Sequence, residues 1–248
     1  MRSFKKVFIV LFLVGLVIGF GWWWRNEQRL KQAQINKEKA TIRLTFIEGW
    51  DAKDYGKYLK EQGLGEEDSV DLTEKEGYLF PDTYIFNKNY PLKTLIKMMT
   101  DNFEQKVTSE MRQEIQKQGK SLASIITVAS LVEAEANTKE DRPLVADIIW
   151  RRLAVGMPLQ LDSTVNYVTG GKNPAISLKD QTIDSPYNTY KFKGLPPGPI
   201  NNPGLEAIKA TIYPVKNSYW YFLTGTDGKM YYAKNLEGHN LNKIKYLK

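Results

Sequence analysis

SLASIITVASLVEAEA, residues Ser121–Ala136, decides how the rest of the chain is read. Ser121 stands just ahead of an apolar run, where a helix N-cap belongs. Leu122, Ile125, Ile126, Ala129 and Val132 recur at helical spacing and form one stripe. Glu133 follows Ala129 by four residues and Ile126 by seven, so it falls on that stripe among apolar side chains. Glu135 is expected on roughly the opposite side, beside Ser124. A glutamate taken out of water holds its proton to higher pH. That is the property a general acid needs to protonate a leaving oxygen. The competing reading is a structural glutamate ion-paired to Arg142, Arg151 or Arg152, since buried ion pairs also perturb titration.

Working outward, Pro143 is expected at the first position of the next helix, which Gly156 closes. On the other side, Leu92 to about Lys117 reads as one amphipathic helix through Leu95, Ile96, Met99, Phe103 and Val107, ended by Gly119. Earlier still, Ile42–Phe46 alternates like a strand, Glu48-Gly49 makes a turn, and Asp51 caps a helix that Gly63 stops near Gln62. A loop follows, then LTEKEGYLFPDTYIF, punctuated at Pro81-Asp82. Beyond Met157 the chain is rich in Pro, Gly, Asn and Tyr. Ser218–Gly225 and Lys229–Lys234 make a hairpin around Asp227-Gly228. Helices first, then a strand-rich C-terminal part, give an α+β fold.

The N-terminus adds a different element. Arg2, Lys5 and Lys6 precede VFIVLFLVGLVIGFGWWW, Val7–Trp24, an uncharged run of bilayer-spanning length that ends on interfacial tryptophans. Trp22–Trp24 do not suit a signal-peptidase site, so the run is expected to be an uncleaved transmembrane helix with a short cytoplasmic tail. Residues 25–40 are polar and read as a stalk. The 248 residues include no cysteine, which excludes disulfides, thiolate nucleophiles and Cys-ligated zinc. His239 is the single histidine, so a multi-histidine metal site is excluded too. The net charge of +7 suits an anionic partner. There is no zinc-finger spacing, RNP-like motif or compact basic block to make that partner nucleic acid.

Three segments after the helix of Glu133 offer sugar-binding groups. LQLDSTVNY (Leu159–Tyr167) supplies Gln160, Asp162 and Tyr167. SPYNTY (Ser185–Tyr190) supplies Tyr187, Asn188 and Tyr190, and GLPPGPINNPG (Gly194–Gly204) is a rigid loop carrying Asn201 and Asn202. Aromatic faces, amides and hydroxyls suit a carbohydrate groove. Asp162 is the residue among them able to oppose positive charge, or else it is a turn or cap residue. Glu76 is expected to hold its own turn, and His239 to be structural in a C-terminal loop.

EGYLFPDTY (Glu76–Tyr84), ITVASLVEAEA, LQLDSTVNY, SPYNTY, GLPPGPINNPG and NLEGHN (Asn235–Asn240) together resemble, in order and spacing, the YceG-like (MltG) endolytic murein transglycosylases. The resemblance runs from about residue 41 to the C-terminus. It implies a membrane-anchored peptidoglycan lytic transglycosylase that leaves 1,6-anhydro-N-acetylmuramoyl ends. Glu133 is then the catalytic glutamate, as the first glutamate of V-E-x-E. Gln160, Asp162, Tyr167, Tyr187, Asn188 and Tyr190 are expected from their own chemistry, not from the resemblance, to line the substrate groove. No metal or cofactor is implied. The partners implied are nascent glycan strands and peptidoglycan synthases, and the location is the cytoplasmic (inner) membrane, single-pass, with the catalytic domain outside. The parts expected are tail and anchor (1–24), stalk (25–40), a shortened LysM-like β-turn-α subdomain with its connection (41–86) and a mixed α+β catalytic domain (87–248). Thr41–Gly63 alone represents the LysM-like portion, which is longer in the fuller family pattern. Two other readings remain, a non-catalytic wall-binding or divisome scaffold and a hydrolytic muramidase using Asp162 as second carboxylate.

Overall fold

The structure, a computed structural model, describes residues 2–64, 72–171 and 176–247, without side chains for 2–15, 17 and 37–39. The connection expected after Gly63 falls largely on 65–71, outside the described residues. The chain divides into two compact units. The first runs up to Leu44 and includes Ile85–Pro91. Its main element is α1 (Arg2–Ala40), one continuous helix that carries both the apolar run and the polar stalk. Among the described residues no helix is long and apolar enough to cross a membrane. The expected span, Val7–Trp24, lies largely on side chains outside that description. β1 (Thr41–Thr45) and β2 (Thr83–Asn87) form a two-stranded sheet, extended where Lys88 N–H donates to the Ala40 carbonyl at 2.9 Å.

The second unit comprises Thr45–Tyr84 and Leu92–Lys248. α2 (Ala52–Glu61) starts as read, with the Asp51 carboxylate accepting from Asp54 N–H at 2.8 Å. The single helix expected over 92–117 is two, α3 (Leu92–Lys106) and α4 (Ser109–Lys117). Thr108 breaks it by leaving the helical region and capping α4 through Met111 N–H. α5 (Leu122–Glu135) begins at its Ser121 cap. α6 (Asp141–Ala154) starts earlier than expected, so Pro143 is its third residue. Pro remains tolerable there because first-turn N–H groups have no partner inside the helix.

The expected strand-rich C-terminal part holds more helix than strand: α7 (Asp162–Thr169), α8 (Leu205–Ile212) and α9 (Leu236–Tyr246). The hairpin is present as β3 (Tyr221–Thr224) and β4 (Met230–Ala233), antiparallel. Arg152, buried on α6, fastens it by donating to the Trp220 and Leu159 carbonyls. His239 therefore sits on a helix, not in a loop, with its ring 5.3 Å from that of Tyr221.

α5 is the centre of this unit. Val128, Leu131 and Val132 pack with Val145, Ile149, Leu159 and Ala207. Ile125, Ile126 and Ala129 pack with Phe103, Met111, Ile208 and Ile212. Every residue from Ile125 to Val132 is buried, so the apolar surface encircles the helix instead of forming the expected stripe. Burial on all sides over Ile125–Val132 is the physical reason this stretch tolerates so little polarity.

Candidate active site

Glu133 lies in the last turn of α5, where the enclosed helix meets its surroundings. Its side chain is 6% exposed. Oε1 pairs with Nη2 of Arg142, from the first turn of α6, at 2.7 Å. Oε2 accepts from Gly204 N–H at 3.1 Å, at the start of α8. Removal from water pushes the Glu133 carboxyl above the usual carboxylate range. Arg142 and the Gly204 amide oppose that shift, and the nearby charge of Glu48 adds to it. The Arg142 pair expected of a structural glutamate is thus present, and the upward balance expected of an acid is present with it.

The Pro/Gly loop before α8 places Gly204. Ile200 N–H donates to Ser130 Oγ at 3.0 Å, and Asn201 Nδ2 donates to the Ser130 carbonyl at 2.9 Å, so the loop is bonded along α5. Asn202 is fully buried and joins three segments. Its Oδ1 accepts from Gly77 and Leu79 N–H at 2.9 and 3.0 Å, while Nδ2 donates to Glu76 Oε1 and the Trp50 carbonyl. Backbone bonds from Gly49 N–H to Asn202 O and from Asn202 N–H to Trp50 O tie the Glu48-Gly49 turn to the same loop. Gly49 adopts φ +80°, and a side chain there would start 3.5 Å from Glu133 Cγ. The turn therefore forms one wall of the Glu133 site.

The other residues singled out fall into two further clusters. Tyr167 and Tyr187 have ring centroids 5.0 Å apart. Tyr167 bonds to Glu76, and Lys53 Nζ lies 5.6 Å from its ring centre. Glu76 is buried and holds Ala52 N–H at 2.9 Å, so it secures more than its own turn. Burial pushes it up to about 7. In the second cluster Tyr190 donates its hydroxyl to Asp162, and Ser163 donates to Glu135 at 2.6 Å. Glu135 thus faces α7, not the side of Ser124, and burial raises its carboxyl too. Asn188 is fully buried, with Nδ2 donating to the Gln181 and Ile183 carbonyls and Oδ1 accepting from Tyr190 N–H. Gln160 is exposed at φ +52°, with its N–H on the Thr189 carbonyl. Burial lowers His239 to about 4, which leaves it neutral at ordinary pH. Among the described residues no group of three or more potential ligands is arranged to hold a metal ion.

Asp162 is the carboxylate that the sequence offers as a second reactive group, but its charge bears on Glu135. The charged side chains that bear on Glu133 are Arg142 and Glu48. Glu48 was not distinguishable as a site residue in the sequence, and Asn201 and Asn202, offered there as sugar-binding groups, are instead buried and bonded within the protein.

The overall fold is shared with a solved structure. A crystal structure of a yceG-like protein from Listeria monocytogenes superposes with a TM-score of 0.70 at 33% identity, covering 87% of this chain and 80% of that one. Residues 25–245 match the model of the YceG-like family, and the chain belongs to that family. Curated relatives carry the name endolytic murein transglycosylase. The Bacillus subtilis protein is 43% identical over 176 residues, 69% of this chain and 48% of that protein. The protein of Streptococcus pneumoniae serotype 2 is 37% identical over 192 residues, 75% of this chain and 35% of its own length. The chain thus spans about half or less of the length of these relatives.

Proposed function

We propose that this chain is an endolytic peptidoglycan lytic transglycosylase with Glu133 as its acid and base. The observation that carries the reading is a glutamate buried at the end of α5, its carboxyl raised by that burial and opposed by one arginine. The names of the relatives support the substrate class. Glu133 donates its proton to the glycosidic oxygen as the bond from C1 of N-acetylmuramic acid breaks. The C6 hydroxyl of the same ring then attacks C1, and the Glu133 carboxylate takes the hydroxyl proton. No water enters, so one carboxylate serves both halves, whereas hydrolysis uses two. Attack within one ring gains effective concentration. Gln160, Asp162, Tyr167, Tyr187 and Tyr190 are the residues proposed to flank the strand, with Asn188 shaping its loop from inside.

The apolar run Val7–Trp24 supports a single-pass anchor in the cytoplasmic membrane, with residues 25–248 outside and close to the synthases that make the strands. Release of the full chain from membranes by alkaline carbonate would rule the anchor out.

The test is product chemistry. The full chain and Glu133→Gln, each in detergent, are incubated with peptidoglycan and the fragments weighed. Wild type is expected to yield ends lighter by one water than reducing ends, and the variant to be slower by about 10²–10⁴-fold. Reducing ends from wild type would sink the lyase chemistry, and a fully active glutamine variant would remove Glu133 from the mechanism.

A further inference from the structure

The Ile47-Glu48-Gly49 turn is a wall of the Glu133 site that brings a second carboxylate. A Cβ placed on Gly204 would lie 2.0 Å from both Cδ and Oε1 of Glu48, and 2.5 Å from Oε2. The Glu48 carboxyl therefore fills the space that a side chain at 204 would take. That same glycine gives its N–H to Glu133 Oε2 at 3.1 Å, so the two carboxylates share one residue. Position is imposed by the backbone: Gly49 N–H is fixed on Asn202 O at 3.0 Å and Asn202 N–H on Trp50 O at 2.9 Å. Glu48 is exposed, and among the described residues no lysine or arginine pairs with it. An unpaired, exposed carboxylate would ordinarily turn to water. This one lies over the start of α8, whose free N–H groups favour negative charge.

Resting on the transglycosylase reading, we propose that Glu48 is a positioning residue of the reaction, a fixed negative charge that acts through Glu133 and offsets Arg142.

The chemistry shows why such a charge is needed. The ion pair with Arg142 and the Gly204 N–H both favour a Glu133 that has already lost its proton, a poor state for an acid. A like charge alongside favours the protonated form before the C1–oxygen bond breaks. After Glu133 has given up its proton, the same charge makes it a stronger base toward the C6 hydroxyl. Glu48 itself neither gives nor takes a proton. The charged groups around Glu133 are Arg142 from α6 and Glu48 from the turn, with the Gly204 amide from α8. Of the other nearby charges, Lys139 and Glu206 pair with each other at 3.7 Å, and Asp141 accepts from the Thr138 and Tyr232 hydroxyls.

The experiment is the pH dependence of kcat/KM for the full chain on soluble, uncrosslinked glycan, read as anhydro ends. Activity requires protonated Glu133, so the rate falls on the alkaline side. In Glu48→Gln the alkaline limb is expected to move to lower pH by about half a unit, the size expected of an exposed, solvent-screened charge. Gly204→Ala should move it the same way, because its methyl displaces the flexible end of Glu48. Melting curves establish that both variants fold. Limbs that stay at the wild-type position in both variants overturn the proposal, whatever the fall in rate, since a mere contact or scaffold role would leave them there. Glu133→Gln separates the two readings. Its inactivity with unmoved limbs removes only Glu48, and its full activity removes the reading on which the role of Glu48 rests.

Discussion

Glu76 and Glu133 are both buried glutamates of the same unit, and burial pushes both carboxyls upward. Their partners differ. Glu76 is held by neutral donors, with Ala52 N–H on Oε2 and Asn202 Nδ2 on Oε1, each at 2.9 Å. Its surroundings are closed: a Cβ on the adjacent Gly77 would meet Pro199 at 2.5 Å and Ile126 at 2.8 Å. Glu133 instead faces a cation on one oxygen, a single N–H on the other, and a turn with an exposed carboxylate beside it. Burial alone therefore does not mark an acid catalyst. A reagent also needs one side left to substrate, and a charge balance that can be tipped in either direction.

Asn202 is the residue whose loss separates the two glutamates most. Asn202→Ala removes acceptors from two buried N–H groups and a donor from Glu76, while Glu133 loses no bond. The expected loss is about 3 kcal/mol or more, because each buried group left without a partner costs about 1–3 kcal/mol. Urea unfolding measures it, and a loss below about 1 kcal/mol would show that the three segments hold together without this residue.

Glu76→Gln comes next. An amide supplies one acceptor where two donors converge, and Asn202 cannot turn over because Gly77 and Leu79 fix its oxygen. The sign of the pH effect follows from a folded value of about 7 against an ordinary 4.5. The contribution of protonated Glu76 is fully present below about 4.5 and is lost as pH rises through about 7. The glutamine variant should thus be less stable by about 1–3 kcal/mol at pH 5, with the gap narrowing by pH 8. A gap that is constant with pH would mean that Glu76 is ionised throughout.

These contrasts also show what was legible in the sequence. The Ser121 cap, the α5 core and the place of Glu133 were readable, because helix periodicity and capping are local. Arg142 was among the cations offered as its partner. α8 was hidden because eight residues behind a Pro/Gly loop carry little periodicity, and it forms by packing on α5 and α6. α9 was hidden because Asn235 and Gly238 look like loop residues, although Asn235 is its cap and accepts from Gly238 N–H at 2.8 Å. Thr108 splits a pattern that is continuous in hydrophobicity, as caps often do. Asp162 is an attractive second carboxylate by motif, but α7 and Tyr190 turn it toward Glu135. Glu48 has no local signature, since Glu-Gly in a turn is common and its meaning lies in the distant Gly204.

The finest test makes Glu133 resemble Glu76 by taking away its cation. Arg142 has a side chain 11% exposed, donates to Glu133 at 2.7 Å and also reaches the Ala136 carbonyl from Nε at 3.2 Å. Arg142→Met keeps much of the apolar stem and removes the charge. Glu133 would then be held by the Gly204 N–H alone, with desolvation and Glu48 both favouring its protonated form. The alkaline limb of activity should move to higher pH by about one unit, opposite in sign to Glu48→Gln. The maximal rate should fall only modestly, since the proton to be donated is still there. If the limb moves down or stays, Arg142 does not set the protonation of Glu133, and the pair is a structural bond of the kind Glu76 makes. If the two variants move the limb in opposite directions and their double variant lies between them, the site works as a glutamate poised between one positive and one negative neighbour.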